Sequence, residues 1–346
     1  MSADNSILIK NIYYMLAYAY KALQQDSNKE FGAENFSNIH NLFAAIIARG
    51  VEHQLKQGLN KDYRQTCHVK QVLRGKIDMP GTIRLLAGQQ HSLSCVYGVL
   101  TEDNLLNRIL KAALVLLLHN GDVTSENKNA LKKLLPFLSN VTEIKSSEIS
   151  WAQLSYHRGN ASYQMLIYIC RLLFKGMLIN NNGKVMLAKF MDTQDLCNLY
   201  EKFVLAYYQK HYPQLNPAAP FVDWILDDGN DAFLPKMHTD ITLESDKNIL
   251  IIDTKYYGRI LSSRYEKKSI CSSNLYQIFS YVKNKAMQTN KTVSGMLLYA
   301  KTDEDITPDE TYSLSGNKFY VRTLDLNCEF EVIKRQLNNI VCENFG

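Results

Sequence analysis

None of the seven cysteines of this 346-residue chain (Cys67, Cys95, Cys170, Cys197, Cys271, Cys328 and Cys342) stands in a Cys-x-x-Cys pair, and their number is odd. A disulfide framework and a zinc knuckle are both excluded, and reduced thiols in a cytoplasmic protein are expected. No two histidines show His-x-x-x-His spacing, so a helical zinc site has no support. No GxxxxGK[ST] run and no GxGxxG run is present, so the chain is expected to bind no nucleotide itself. The most apolar stretch, Met165 to Ile179, is interrupted by Arg171 and Lys175 and falls short of the roughly 20 apolar residues of a membrane span. Met1 to Lys10 lacks a basic segment followed by an apolar one, so no secretory leader is expected there. Neither charge sign dominates: 39 Lys and Arg against 34 Asp and Glu leave a net charge of +5. That balance is compatible with a phosphate-bearing partner and does not by itself identify one.

What is present suggests two domains, because a chain of this length exceeds one core. Asn11 to Leu23 and Asn38 to Gln57 carry apolar residues at helical spacing, the second with Ser37 as N-cap and Gly58 as stop. Tyr63 to Leu100 changes texture, with β-branched residues punctuated by Gly75, Gly81, Gly88 and Gly98; short strands forming a small barrel or hairpin pair are expected. Helices return at Asn104 to Leu118, Glu126 to Phe137 and Tyr163 to Leu178. Asn180 to Gly183 reads as a linker, which divides the chain into a first region at 1–185 and a second domain at 186–346. The second domain opens with a helix over Leu196 to His211, capped by Asp192 or Asp195 and followed by Pro213.

The chemistry concentrates in Met237 to Tyr257. Ser245 to Asn248 is a polar turn between two apolar runs, so a hairpin is expected. In the second run Ile249, Ile251, Asp253 and Lys255 share one face by strand alternation, and pairing across the hairpin brings Asp240 close to Asp253. Two carboxylates with a backbone carbonyl, that of Thr254, form a hard-oxygen set suited to Mg²⁺, and a lysine beside them can hold the attacking water and the phosphate. A helix over Asn274 to Lys283 places Gln277 and Tyr281 at i and i+4, in reach of the same point. Gly295 to Tyr299 adds another strand. Glu201 is read as an exposed helix glutamate, with a place in the metal site as the alternative. His238, which would share the strand face of Asp240, is read as an edge histidine, with a phosphate contact as the alternative. Tyr256 and Tyr257 are read as packing residues.

The series TDI (Thr239 to Ile241), IIDTKYY (Ile251 to Tyr257) and NLYQ with a following Tyr (Asn274 to Tyr281) resembles the PD-(D/E)xK nucleases of the RecB-like branch, with Thr239 in place of the proline. NIYYMLAYAY (Asn11 to Tyr20), RGKI (Arg74 to Ile77), EDNLLNRILK (Glu102 to Lys111) and NLYEKF (Asn198 to Phe203) extend the resemblance to the McrC family over nearly the whole chain. The resemblance implies an α+β N-terminal region followed by a mixed α/β restriction-endonuclease-like domain. It further implies a Mg²⁺-dependent deoxyribonuclease subunit of a methylcytosine-directed, antiviral restriction complex cutting methylated double-stranded DNA. The implied partner is an McrB-like hexameric AAA+ GTPase, met through the strand-rich stretch, with Arg74, Lys76 and Arg84 as contact candidates. A GTPase-activating or DNA-clamping adaptor and a stand-alone nuclease are the rival expectations.

Overall fold

The computed structural model describes residues 3–20, 38–119, 122–157, 159–160, 162–179, 193–229, 232–256, 261–264, 267–301 and 308–346. The expected linker at Asn180 to Gly183, the Ser37 and Asp192 caps, and Tyr257 lie outside these residues. The chain divides into two compact units, one of residues 40–174 and one joining residues up to 39 with 175–346. The first helix therefore groups with the C-terminal unit, and the division does not follow the expected boundary at 185. No helix among the described residues is long and apolar enough to cross a membrane.

The unit of residues 40–174 takes up nearly all of α2 (Ile39–Gln57), which ends at Gly58 with φ +89°, a conformation that favours glycine. Then come β1 (Asp62–Lys70), β2 (Lys76–Ile77), α3 (Met79–Ala87) and β3 (Leu93–Thr101). The strands form one antiparallel sheet in the order β1-β3-β2. Of the expected barrel or hairpin pair, the structure has antiparallel strands in one three-stranded sheet, and a helix occupies part of what was read as strand. Pro80 at the start of α3 and Gly88 at its end bracket that helix. α4 (Leu105–His119), α5 (Ser125–Leu134) and α6 (Tyr163–Ile179) complete the unit. The motif around Glu102 to Lys111 is a polar latch. Tyr163 Oη accepts from Asn60 N at 2.9 Å and donates to Asn107 Oδ1 at 2.9 Å, while Asn107 Nδ2 donates to the carbonyls of Asn60 and Glu102. Arg108 grips both oxygens of Asp103 at 2.7 and 2.6 Å, holding that carboxyl well below the usual carboxylate range.

The second unit contains α1 (Ala3–Ala19), α7 (Thr193–His211), β4 (Phe221–Val222), β5 (Met237–His238), β6 (Ile241–Glu244), β7 (Asn248–Lys255), β8 (Leu261–Arg264), β9 (Lys267–Ile270), α8 (Ser272–Met287), β10 (Thr292–Ala300), β11 (Glu310–Leu314), β12 (Asn317–Leu324) and α9 (Phe330–Phe345). Its five-stranded sheet runs β11-β12-β10-β7-β6. β7, β10 and β12 are mutually parallel, while β6 and β11 run antiparallel at the edges. Parallel strands covered on both faces need continuous apolar runs, which Ile249 to Ile252 supplies. Ile249 and Ile251 pack with Ile278, Tyr281 and Val282 of α8. On the opposite face α7 and α9 pack behind β7, joined by the hydrogen bond from Tyr208 Oη to Leu337 O. α1 is tied to this unit by Asn11 Nδ2, which donates to the carbonyls of Leu326 and Cys328, and by Tyr14 stacked on Phe330.

Gly295 sets how closely α8 approaches the sheet. A Cβ there would stand 2.7 Å from Val282 Cγ2 and 2.8 Å from Ile278 Cγ1. Gly295→Ala is expected to destabilise the protein by about 1–3 kcal/mol, read as a lowered midpoint in urea denaturation; an unchanged midpoint would show that the helix yields freely.

Candidate active site

The β6–β7 hairpin forms as expected, with Ser245 N donating to Asn248 O at 2.9 Å across the turn. Its register pairs Ile241 with Ile252, so Asp240 stands beside the next position, Asp253. Asp240 does not drift in solvent: its Oδ2 accepts from Thr254 N at 2.7 Å and from Thr254 Oγ1 at 2.8 Å. Two donors fix that oxygen and orient the carboxylate along the end of β7.

Asp253 is fully buried. Lys255 Nζ lies 2.8 Å from its Oδ2; beyond this ion pair neither oxygen accepts a hydrogen bond among the described residues. Burial without hydrogen-bond donors penalises the charged form. The carboxyl is accordingly pushed up from 3.8 to about 7 by burial, against the pull of Lys255 and with a further push from Asp240. Lys255 also donates to Gln277 Oε1 at 3.2 Å, and Gln277 Nε2 donates to Tyr281 Oη at 2.9 Å. Of the i, i+4 pair on α8, Gln277 meets Lys255 and Tyr281 meets Gln277. One turn earlier, Asn274 Nδ2 donates to Tyr299 Oη at 3.1 Å and anchors the helix start to β10.

Glu201 corrects the sequence reading. It is half-buried on α7, and burial and then the charge of Asp240 raise its pKa, with His238 and Lys255 acting the other way. Periodicity could not reveal this, because the position on α7 is set by how that helix packs behind β7. Tyr256 packs edge-on to Tyr200 as expected, with ring centroids 6.0 Å apart. Arg74, Lys76 and Arg84 stand in the other unit, exposed or nearly so, with Arg74 over the ring of Tyr97 at 4.5 Å.

Among the described residues no three His, Cys, Asp or Glu side chains converge as a ready-made metal cluster. The donors at the end of β7 are nonetheless oxygens: the Asp253 carboxylate that no hydrogen bond occupies, and the Asp240 carboxylate aligned by Thr254. That chemistry fits a hard divalent cation such as Mg²⁺.

The family model described as McrBC 5-methylcytosine restriction system component matches residues 3–300. A relative from Escherichia coli (strain K12), the type IV methyl-directed restriction enzyme EcoKMcrBC, is 26% identical over 342 residues, covering 97% of this chain and 98% of the relative. The fold is similar to a solved Thermococcus gammatolerans structure, a half-complex from a tetradecameric assembly of McrB AAA+ hexamers with bound McrC. That similarity has a TM-score of 0.51 and 20% identity, and it covers 96% of this chain and 76% of that one.

The raised pKa of Asp253 has a consequence for stability. The folded chain holds this proton more tightly than the unfolded chain, so the associated stability is present below about pH 4 and lost as pH rises through about 7. Above that the buried charge costs the metal-free fold on the order of 4 kcal/mol. Asp253→Asn is expected to be more stable than wild type in EDTA above pH 7 by up to this amount, with the gain fading to nothing by about pH 4. A pH-independent difference in urea melts would refute the desolvated carboxyl.

Proposed function

The chain belongs to the McrBC 5-methylcytosine restriction system component family, and we propose that within it this protein is the Mg²⁺-dependent, DNA-cutting subunit of a GTP-dependent complex. The observation that carries the reading is the buried Asp253 carboxylate beside Asp240, which beyond its ion pair with Lys255 has no hydrogen-bond donor among the described residues. A structural ion pair needs no such exposure of oxygens to an unmet demand; a cation site does.

In this reading the five-stranded sheet with α7 and α8 is a PD-(D/E)xK nuclease core. Asp240 and Asp253 would hold the cation, aided by the Thr254 carbonyl. A bound Mg²⁺ supplies a water of lowered pKa and neutralises charge developing on the scissile phosphate. Thr254 keeps Asp240 pointed at the site through both its N–H and its hydroxyl. Asp253 must give up its proton before the cation enters, which its pKa near 7 makes easy at neutral pH. Lys255, held between Asp253 and Gln277, presents its ammonium to the phosphate and the attacking water. Gln277 can accept from Lys255 only through its carbonyl oxygen, which forces its NH₂ toward Tyr281 and fixes the amide's orientation.

The unit of residues 40–174 supplies the docking surface for an McrB-like hexameric AAA+ GTPase, the kind of assembly in which the similar archaeal McrC is found. Its small sheet and α3 expose Val72, Leu73, Met79, Ile83 and Leu86 alongside Arg74, Lys76 and Arg84. Apolar side chains exposed in this number on one small module mark a protein contact more readily than a free surface. Methylated double-stranded DNA is the substrate, and the reading of the modified base belongs to the partner.

Asp253→Ala is expected to lower cleavage of methylated plasmid at least ~10³-fold in the presence of the GTPase, GTP and Mg²⁺, while GTPase stimulation stays at the wild-type level. Cleavage retained in that variant would remove the assigned site; cleavage absent from wild type with stimulation intact would favour the adaptor.

A further inference from the structure

The two-stranded ribbon β4–β5 delivers the chain to Asp240, and its two faces differ. Val222 and Met237, paired across it, are buried in the core, whereas Phe221 and His238, the other pair, face outward. Burial alternates strictly along the approach: Lys236 exposed, Met237 buried, His238 exposed, Thr239 buried, Asp240 half-buried. Lys236 and His238 therefore share the outward face, one step of roughly 6.6 Å apart along extended chain, and the chain bends at Asp240 just beyond them. That step is comparable to the separation of successive phosphates on one DNA strand. Asp240 belongs to the candidate cutting site. His238 precedes Asp240 by two residues, so the outward face of the ribbon leads directly to that site.

Phe221 is 61% exposed, an unusual setting for a large apolar ring. Its ring lies 4.7 Å from that of His238, and Lys236 Nζ stands 5.8 Å from its centroid. The ring thus supports both polar groups from below. The ribbon is also held in place. Trp224 Nε1 donates to Pro235 O at 2.7 Å, Ile225 N donates to Asn284 Oδ1 at 2.8 Å, and Gln288 Nε2 donates to Asp223 O at 2.8 Å. The last two bonds pin the ribbon's loop to α8, the helix that carries Gln277. A rigid row of donors leading to a phosphate-cutting centre is preorganised for a phosphodiester strand.

We propose that Lys236 and His238 contact successive phosphates of the DNA strand that enters the Asp240–Asp253 site, with Phe221 positioning both. The proposal rests on the reading of that site as the cutting centre. Lys236 contributes a full positive charge, and His238 contributes a ring N–H that can donate to a phosphate oxygen in either tautomer. Such contacts set the register of the strand and carry no base information, which suits a subunit that leaves sequence reading to its partner.

Binding of a labelled duplex to the full chain is measured by fluorescence anisotropy in EDTA between about 50 and 200 mM salt. Each phosphate neutralised by a cationic side chain adds roughly 0.9 to the slope of log affinity against log salt, so Lys236→Gln is expected to lower the slope by about 1. Adding His238→Gln, which removes an uncharged donor, is expected to weaken binding further at every salt concentration with no further change of slope, equally on methylated and unmethylated DNA. Lys247→Gln removes the same charge at the opposite end of β7 and is expected to leave the slope unchanged. An isotherm for the double variant that overlays wild type, an equal loss in Lys247→Gln, or no salt-dependent binding by wild type overturns the proposal. Unchanged slopes with cleavage still abolished by Asp253→Ala discard the phosphate row and keep the cutting site. A lowered slope in a chain whose wild type cuts no DNA keeps the contacts and discards the cutting site.

Discussion

Burying a carboxylate at the end of a strand that is covered on both faces is the constraint around which the C-terminal unit is arranged. β7 lies between β10 and β6, with α8 on one face and α7 and α9 on the other. Nothing in such a strand tolerates a charge except where the strand runs out, and Asp253 occupies that place. Its charge is partly balanced by Lys255, two residues on and on the same face. Lys255 in turn depends on Gln277, which depends on α8 lying close to the sheet, and the absence of a side chain at Gly295 permits that approach. Asp240 is kept as a separate, aligned carboxylate by the two donors of Thr254.

Much of this was legible in the sequence because strand alternation has a period of two and cannot be misread by one residue without turning the core outward. The polar turn at Ser245 to Asn248, the shared face of Asp253 and Lys255, and the i, i+4 relation of Gln277 and Tyr281 are all local facts. Glu201 was not legible, since nothing in NLYEKF says which side of α7 meets the sheet. The helix Met79–Ala87 was hidden for a different reason: Gly75, Gly81 and Gly88 read as strand punctuation, whereas Gly81 lies inside the helix and Gly88 caps it. The motif at Glu102 to Lys111, which carried part of the family resemblance, serves structure. Asn107 and Asp103 satisfy backbone and side-chain partners within the unit of residues 40–174 and reach no reaction centre.

The two units divide the physical tasks. One is built on a polar latch and presents a small sheet rich in exposed apolar and basic side chains, suited to another protein. The other is built on an apolar parallel sheet that gathers the buried Asp253 and half-buried Asp240 carboxylates at its end, a chemistry suited to a cation. The loop of the ribbon β4–β5 is bonded to Asn284 and Gln288 at the far end of α8, the helix whose first half carries Gln277, so the residues that would grip the strand and those that would cut it are fastened to one scaffold. Rigidity of this kind matters because phosphodiester hydrolysis relies on placing charges rather than on covalent participation by the protein.

On the reading proposed above, the buried Asp253 carboxyl exchanges its proton for a cation. Calorimetric titration of Mg²⁺ into the metal-free full chain, in buffers of different ionisation enthalpy, counts the protons released. With a pKa near 7, about 0.9 proton should leave per cation near pH 6 and almost none near pH 8.5, and Asp253→Asn should bind no Mg²⁺. Binding without proton release near pH 6, or binding by the Asn variant equal to wild type, would contradict the account.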